Sequence, residues 1–162
     1  GSDAERLRFL LTTDSWDSTA VVGDTWRQIE NVLTTRSFDP TMLADLLGPE
    51  LMTGRRLDLN RQIDLADGTA VARREALCRN LYTLLWTLVD DPSGAPPSSA
   101  ICQSIAQWAV NVVDFRDTDS TMSVFFFDED PTDGWDIDVT TSPFVIGLER
   151  PEVLITEALL EE

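Results

Sequence analysis

The sequence contains no histidine and no lysine, and only two cysteines and one tyrosine. Without histidine it can build neither a Ser-His-Asp nor a Cys-His catalytic arrangement, and no histidine-bearing zinc site. Cys78 and Cys102 form no CxxC pair, so they supply neither a structural zinc site nor a disulfide scaffold. Long apolar runs are missing too: Val124-Phe125-Phe126-Phe127 falls far short of the roughly 20 residues that a spanning helix needs. Positive charge is scarce. Twelve arginines face twenty-nine acids, for a formal net charge of −17. Such a surface repels phosphate backbones and anionic lipids, which excludes nucleic acid as a partner and argues against membrane contact. The lack of lysine fits either a coding bias or adaptation to salt, and arginine pairs with carboxylates in fixed, bidentate geometry.

What is present suits a folded domain. The chain has 162 residues, of which 43% are hydrophobic and 25% charged. Gly1-Ser2 reads as a cloning remnant, and residues 3–162 read as one mainly helical domain of α+β class. At this length folding buries roughly 68–70% of the unfolded surface, enough for a core without staples. Ser2-Asp3-Ala4-Glu5 is a capping box for a helix over 2–11, and Trp26, Ile29 and Leu33 mark a second near 24–34. The motif Leu-Thr-Thr-x-Ser-aromatic-Asp occurs at 11–17 and again at 33–39, which reads as recurring turn chemistry. Asp39 before Pro40 is placed to cap a helix over 41–47, which Gly48-Pro49 stops. Residues 55–60 alternate like a short strand, and Asp67-Gly68 is a turn.

The strongest periodicity lies in two helices, over 69–89 and from Ser98 or Ser99 to 113, joined by a Pro/Gly-rich loop at 91–97. Leu77, Leu81, Leu84, Leu85 and Leu88 stripe the first; Ile101, Ile105, Trp108 and Val112 stripe the second. They predict a central helical hairpin, with Trp86 and Trp108 facing the core. In an antiparallel hairpin Cys102 falls beside residue 87, roughly 13 Å along the axis from Cys78, so both thiols are expected buried and free.

After the hairpin comes an acidic loop, 114–142. Residues 114–138 hold nine acids against Arg116 alone, about half of the net charge. Phe125, Phe127 and Trp135 lie in the same stretch and must find a hydrophobic surface. Strands are expected over 144–146 and 153–156, with Pro151-Glu152 as an alternative helix start for the second. Closely spaced carboxylates can give the six to eight oxygens that calcium takes. Counted from Asp128, however, the glycine falls at position 7, so no EF-hand is present. From spacing alone two readings stand: a hydrated loop with no fixed ion, and a calcium site. A glycosidase using paired carboxylates is a third, remote reading, which needs a cleft between them. Trp16, Trp26 and Trp135 fall outside the hairpin, where exposed rings would mark a partner interface.

Leu33-Thr34-Thr35-Arg36-Ser37, Arg56-Leu57-Asp58-Leu59-Asn60, the hairpin, Trp108, Asp114-Phe115-Arg116-Asp117-Thr118-Asp119 and Gly147-Leu148-Glu149 follow one another in an order that resembles the K-type minor pseudopilins of type II secretion systems. The resemblance spans roughly residues 33–150. It implies a helical domain inserted into a pilin-like sheet, calcium bound by acidic loops, and a place at the tip of a pseudopilus beside other minor pseudopilins. Carried over by position, Asp114, Asp117, Asp119 and Glu149 become the metal ligands. It also implies a non-enzymatic role in protein transport, a periplasmic or extracellular location, and anchoring of the full-length protein in the inner membrane. Departures are the long 120–142 loop, Leu148 in place of a smaller residue, and the lack of a hydrophobic pilin helix in this sequence. The alternative is an extracellular calcium-dependent binding module with no link to secretion.

Overall fold

The computed structural model describes residues 11–12, 23–63, 68–89 and 95–149. Residues 2–10 of the helix expected over 2–11, most of the first Thr-Thr turn, the 91–94 part of the loop and the strand expected over 153–156 lie outside the described residues, while Leu11, expected at that helix's end, is in a strand. The elements run β1 (Leu11–Thr12), α1 (Gly23–Thr35), α2 (Leu43–Leu47), α3 (Pro49–Met52), β2 (Leu57–Asp58), α4 (Ala70–Leu88), α5 (Ser99–Asp114), β3 (Val124–Phe126) and β4 (Phe144–Ile146). This is a mainly helical α+β fold, with one parallel pairing of β1 on β2 and one antiparallel ribbon of β3 and β4.

The axis of the core is α4. From Leu77 to Leu88 almost every side chain is buried, including Asn80, Thr83 and Thr87. A helix enclosed on all sides carries no polar stripe, so its buried polar groups need partners inside. Asn80 Nδ2 donates to the carbonyls of Asp45 (2.9 Å) and Leu46 (3.1 Å), tying down α2, while its Oδ1 accepts from Arg61 (2.9 Å). At the C-terminal end, the Arg36 guanidinium donates to the carbonyls of Trp86 (3.2 Å) and Val89 (2.9 Å) and lies 4.8 Å from the Trp86 ring centre. Carbonyls that a helix end leaves orphaned are thereby satisfied.

The hairpin is antiparallel: Cys102, near the start of α5, lies against Tyr82 and Trp86, and Cys78, mid-way along α4, feels Asp114 at the end of α5. Both cysteines are buried and free. The face that α5 presents differs from the expected one. Cys102, Ile105, Ala106, Ala109, Val110 and Val113 are buried, whereas Ile101 is 41% and Trp108 39% exposed. Ala106 and Ala109 have no bulk, so the backbones of α4 and α5 approach closely along them; the Trp108 ring is left on the flank. Trp86, in contrast, is fully buried, edge-on to Phe38 at 5.6 Å.

Asp39 does not cap α2. Its Oδ1 accepts from the Thr41 N–H (2.8 Å) and hydroxyl (2.7 Å), closing a turn before the helix begins at Leu43. Gly48, at φ +87°, then ends α2 and Pro49 opens α3. The strand expected over 55–60 contracts to Leu57–Asp58, and Leu57 is buried.

The ribbon packs on α5. Register pairs Val124 with Ile146, Phe125 with Val145 and Phe126 with Phe144. Strand alternation sends Phe125 and Val145 inward and leaves Val124, Phe144 and Ile146 about half exposed. Phe125 stacks on Trp135 (6.0 Å), and Tyr82 meets both Trp135 and Phe127 at 5.6 Å. Phe125 and Phe127 thus join the hydrophobic core and Trp135 packs against it, while Phe115 stays exposed.

Candidate metal centre

Many of the clustered acids have local work. A repeated Asp-x-Thr unit recurs at 39–41, 119–121, 130–132 and 138–140. In each, the aspartate carboxylate accepts the backbone N–H two residues on; at 39, 130 and 138 it also accepts the threonine hydroxyl, at 2.7 Å. Such Asx turns hold the carboxyls of Asp39 and Asp138 below the usual aspartate range, chiefly through the bonds from Thr41 and Thr140. Asp128 serves in the same way, accepting from the N–H groups of Asp130 (2.9 Å) and Asp136 (3.0 Å). The loop backbone is pinned to the hairpin by Tyr82, whose hydroxyl donates to the Asp128 carbonyl (2.6 Å), and by Trp86 Nε1 on the Glu129 carbonyl (3.1 Å). Turn construction gives these loop carboxylates hydrogen-bond partners within the loop itself.

Three carboxylates stand apart. Asp114, Asp117 and Glu149 each bring an oxygen within 4.8 Å of the others. Asp114, the last residue of α5, is 1% exposed, and Asp117, just past it, is 4% exposed. Asp114 Oδ2 accepts the Ser123 N–H at 3.0 Å, which fixes the start of β3 against the helix end. Glu149 is half-buried and arrives from the far end of β4. Gly147, between them, is packed so tightly on the Asp114 carboxylate that a Cβ would overlap Oδ2. The ribbon is further tied to α5 by Gln107 Nε2 on the Ile146 carbonyl (2.7 Å) and by the Leu148 N–H on Asn111 Oδ1 (3.1 Å).

Among the described residues, Arg74 brings positive charge to this cluster: its Nη1 lies 3.1 Å from Asp117 Oδ2 and 2.6 Å from Asp119 Oδ2. The contact with Asp117 is an ion pair without hydrogen-bond alignment; the one with Asp119 is aligned. Accordingly Asp119, with its side chain 42% exposed, is held below the usual range by Arg74. Asp117 moves the other way. Burial pushes its carboxyl up to about 6 against the pull of Arg74, with Asp119, Glu149 and Asp114 adding to the rise.

The donor set fits a hard divalent cation. Oxygen-only ligands suit calcium or magnesium rather than zinc or copper. Asp114 Oδ1 and Asp117 Oδ1 are buried with no hydrogen-bond donor, a costly state for carboxylate oxygens. Asp114 also sits at the C-terminus of a sixteen-residue helix, where the dipole disfavours a carboxylate and favours a cation. Asp114, Asp117 and Glu149 can therefore hold a metal ion. Of the four residues carried over from sequence, these three converge; Asp119 stands beside them, paired through Arg74. Sequence reading missed Arg74, which nothing marks among the helical arginines, and the close approach that Gly147 permits. It also placed Asp114 in a loop, whereas α5 runs through it.

Neither the cavity of about 420 Å³ between α4 and β3 nor that of about 150 Å³ beside it is lined by Asp114, Asp117 or Glu149. The carboxylates face one another. Comparison of the chain with protein families, with curated proteins and with solved structures finds no match.

Proposed function

We propose that this chain is a non-enzymatic assembly component, of the kind seen in K-type minor pseudopilins, in which calcium bound by Asp114, Asp117 and Glu149 fastens the β-ribbon to the helical hairpin. One observation carries the proposal: three carboxylates from the helix end, the segment after it and the exit of β4 converge where two of them are buried. A divalent ion there neutralises the mutual repulsion of the three carboxylates. It also supplies partners for the orphaned Asp114 and Asp117 oxygens. Calcium is favoured over magnesium because carboxylates on three separate segments suit its larger, more flexible coordination shell.

The ordered ribbon then presents Val124, Phe144, Ile146 and Leu148, each about half exposed or more. Adjacent exposed apolar side chains of this kind mark a contact surface, here for other minor pseudopilins. Phe125 and Phe127 take no part in that surface, being 5% and 1% exposed. The reading places the protein in the periplasm or outside the cell, with an inner-membrane anchor on the full-length product.

Calorimetry tests the ion. Calcium added to chelator-treated protein is expected to release or absorb heat with a stoichiometry set by this site and to raise the melting temperature as concentration exceeds Kd. Asp117→Asn should lose both effects. Absence of heat and of stabilisation in millimolar calcium would overturn the reading. A secretion assay separates the pseudopilin from the free extracellular module: deletion of the gene should block export of type II substrates only in the former case.

A further inference from the structure

We infer that the outer edge of β3 is a docking site for an extended segment of a partner protein, added as a third strand and flanked by basic residues. This deepens the assembly reading by naming the kind of partner, but the edge itself does not depend on the metal centre.

The ladder shows which backbone groups point outward. Gly147 N–H donates to the Ser123 carbonyl (2.9 Å) and Phe127 N–H to the Pro143 carbonyl (3.1 Å). In an antiparallel pair, bonded and non-bonded pairs alternate. The register therefore turns the N–H and C=O of Val124 and Phe126 away from β4. On the opposite edge, the outward Ile146 carbonyl is taken by Gln107 and the Leu148 N–H by Asn111. No described residue does the same for Val124 or Phe126. An open edge of this kind is a template for strand addition.

A groove of about 420 Å³ runs along that edge. Ala72 and Ala76 of α4 form one wall, and their small side chains keep it open. The other wall is Trp135-Asp136-Ile137-Asp138-Val139, in which the three apolar residues line the groove and the two aspartates are exposed. Although it runs beside β3, this segment makes no backbone hydrogen bond to Val124 or Phe126. Glu75 stands exposed on the α4 wall. Arg79 also lines the groove, its guanidinium 6.0 Å from the Trp135 ring centre, but its charge is paired with Asp45 at 2.7 Å. A largely apolar groove with open backbone donors and acceptors, with Glu75 in its lining and the exposed Asp136 and Asp138 alternating with its wall residues, complements a short apolar strand with arginine or lysine at its ends. Acid-flanked strands are repelled, and added salt weakens the match.

The probe is the peptide acetyl-RVTVTVR-amide, titrated into the full chain and followed by tryptophan fluorescence and by amide NMR shifts, with and without calcium. Saturable binding is expected, with the largest shifts at Val124, Phe126 and Ile137. Acetyl-EVTVTVE-amide should bind at least tenfold more weakly. Val124→Pro removes one outward donor while sparing the ladder bonds made by residues 123, 125 and 127; it should weaken binding at least tenfold. Asp136→Asn, which touches no ladder bond, should weaken the basic peptide several-fold and keep the fold even if the proline variant does not. No binding up to millimolar peptide, equal binding of the acidic peptide, or shifts located elsewhere would overturn the inference. So would slow exchange of the Val124 and Phe126 amides in the free monomer, which would show the chain's own segment on the edge. A dimer abolished by Val124→Pro in sedimentation would assign the edge to a second copy instead. Calcium titration without heat but with peptide binding would sink the metal reading alone.

Discussion

Gly147 and the Asp114 carboxylate are in contact at a distance no side chain at 147 can share: a Cβ would overlap Oδ2 and crowd a Val110 methyl. The relationship joins the exit of β4 to the end of α5, and it puts the ribbon and one metal-site carboxylate under the same steric constraint.

Gly147→Ala should therefore act on both. Overpacking of this kind costs about 1–3 kcal/mol, read as a lower urea midpoint with unchanged slope. Because Asp114 must move to admit the methyl group, calcium affinity should fall at least tenfold. An alanine variant that keeps wild-type calcium binding would show that Asp114 is not a ligand.

Asp117 predicts a pH dependence with a definite sign. Its carboxyl is raised from the ordinary 3.8 to about 6 on folding, with burial as the main cause. A group whose pKa rises on folding takes up a proton as the chain folds, so its contribution is most favourable at low pH and is lost as pH rises. In chelator the melting temperature attributable to Asp117 should thus decline from about pH 4 to about pH 6. Asp117→Asn should flatten that slope and, at pH 7 without calcium, raise the melting temperature. In calcium the same substitution should lower it. A variant that destabilises equally in both conditions would point to an ordinary structural aspartate.

The parts of this fold legible in the sequence are those governed by periodicity. The α4–α5 hairpin, the free thiols and β4 follow from apolar spacing and from the breakers around it. Trp108, expected in the core, is instead 39% exposed, because a stripe of large residues at three and four is a weaker determinant than the small Ala106 and Ala109, which are fully buried. Strand β3 was hidden for another reason: Val124-Phe125-Phe126-Phe127 has no polar alternation, since its outward side bears Val124 and Phe126 on an apolar surface. In the acidic stretch, spacing alone could not separate Asp119, Asp130 and Asp138, which close Asx turns, from Asp114 and Asp117, which are buried. What distinguishes them is burial at a helix end, a property of the third dimension.

The thiols give a simple check on the hairpin register. Cys78 and Cys102 are 3% and 0% exposed, and burial pushes both thiols up, away from the reactive thiolate. Aromatic disulfide reagents should titrate no thiol in native buffer within minutes and two thiols in denaturant. Oxidation should not join them, since Cys102 lies against Tyr82 and Trp86, about one to two helical turns along α4 from Cys78. A native disulfide on a mass map would overturn the antiparallel register.

The two hairpin tryptophans separate core from flank. Trp86 is fully buried, bonded to the Glu129 carbonyl and packed on Phe38 and Arg36. Trp86→Ala should cost about 3–5 kcal/mol and loosen the loop that its indole anchors. Trp108, 39% exposed, keeps part of its ring in water, so Trp108→Ala should cost clearly less than Trp86→Ala. Urea unfolding followed by circular dichroism, which reads helix content rather than the deleted fluorophore, compares the two directly. If Trp108→Ala proved as damaging as Trp86→Ala, α5 would have to be turned to the face that its large residues suggest, and Ala106 and Ala109 would no longer be the contact with α4.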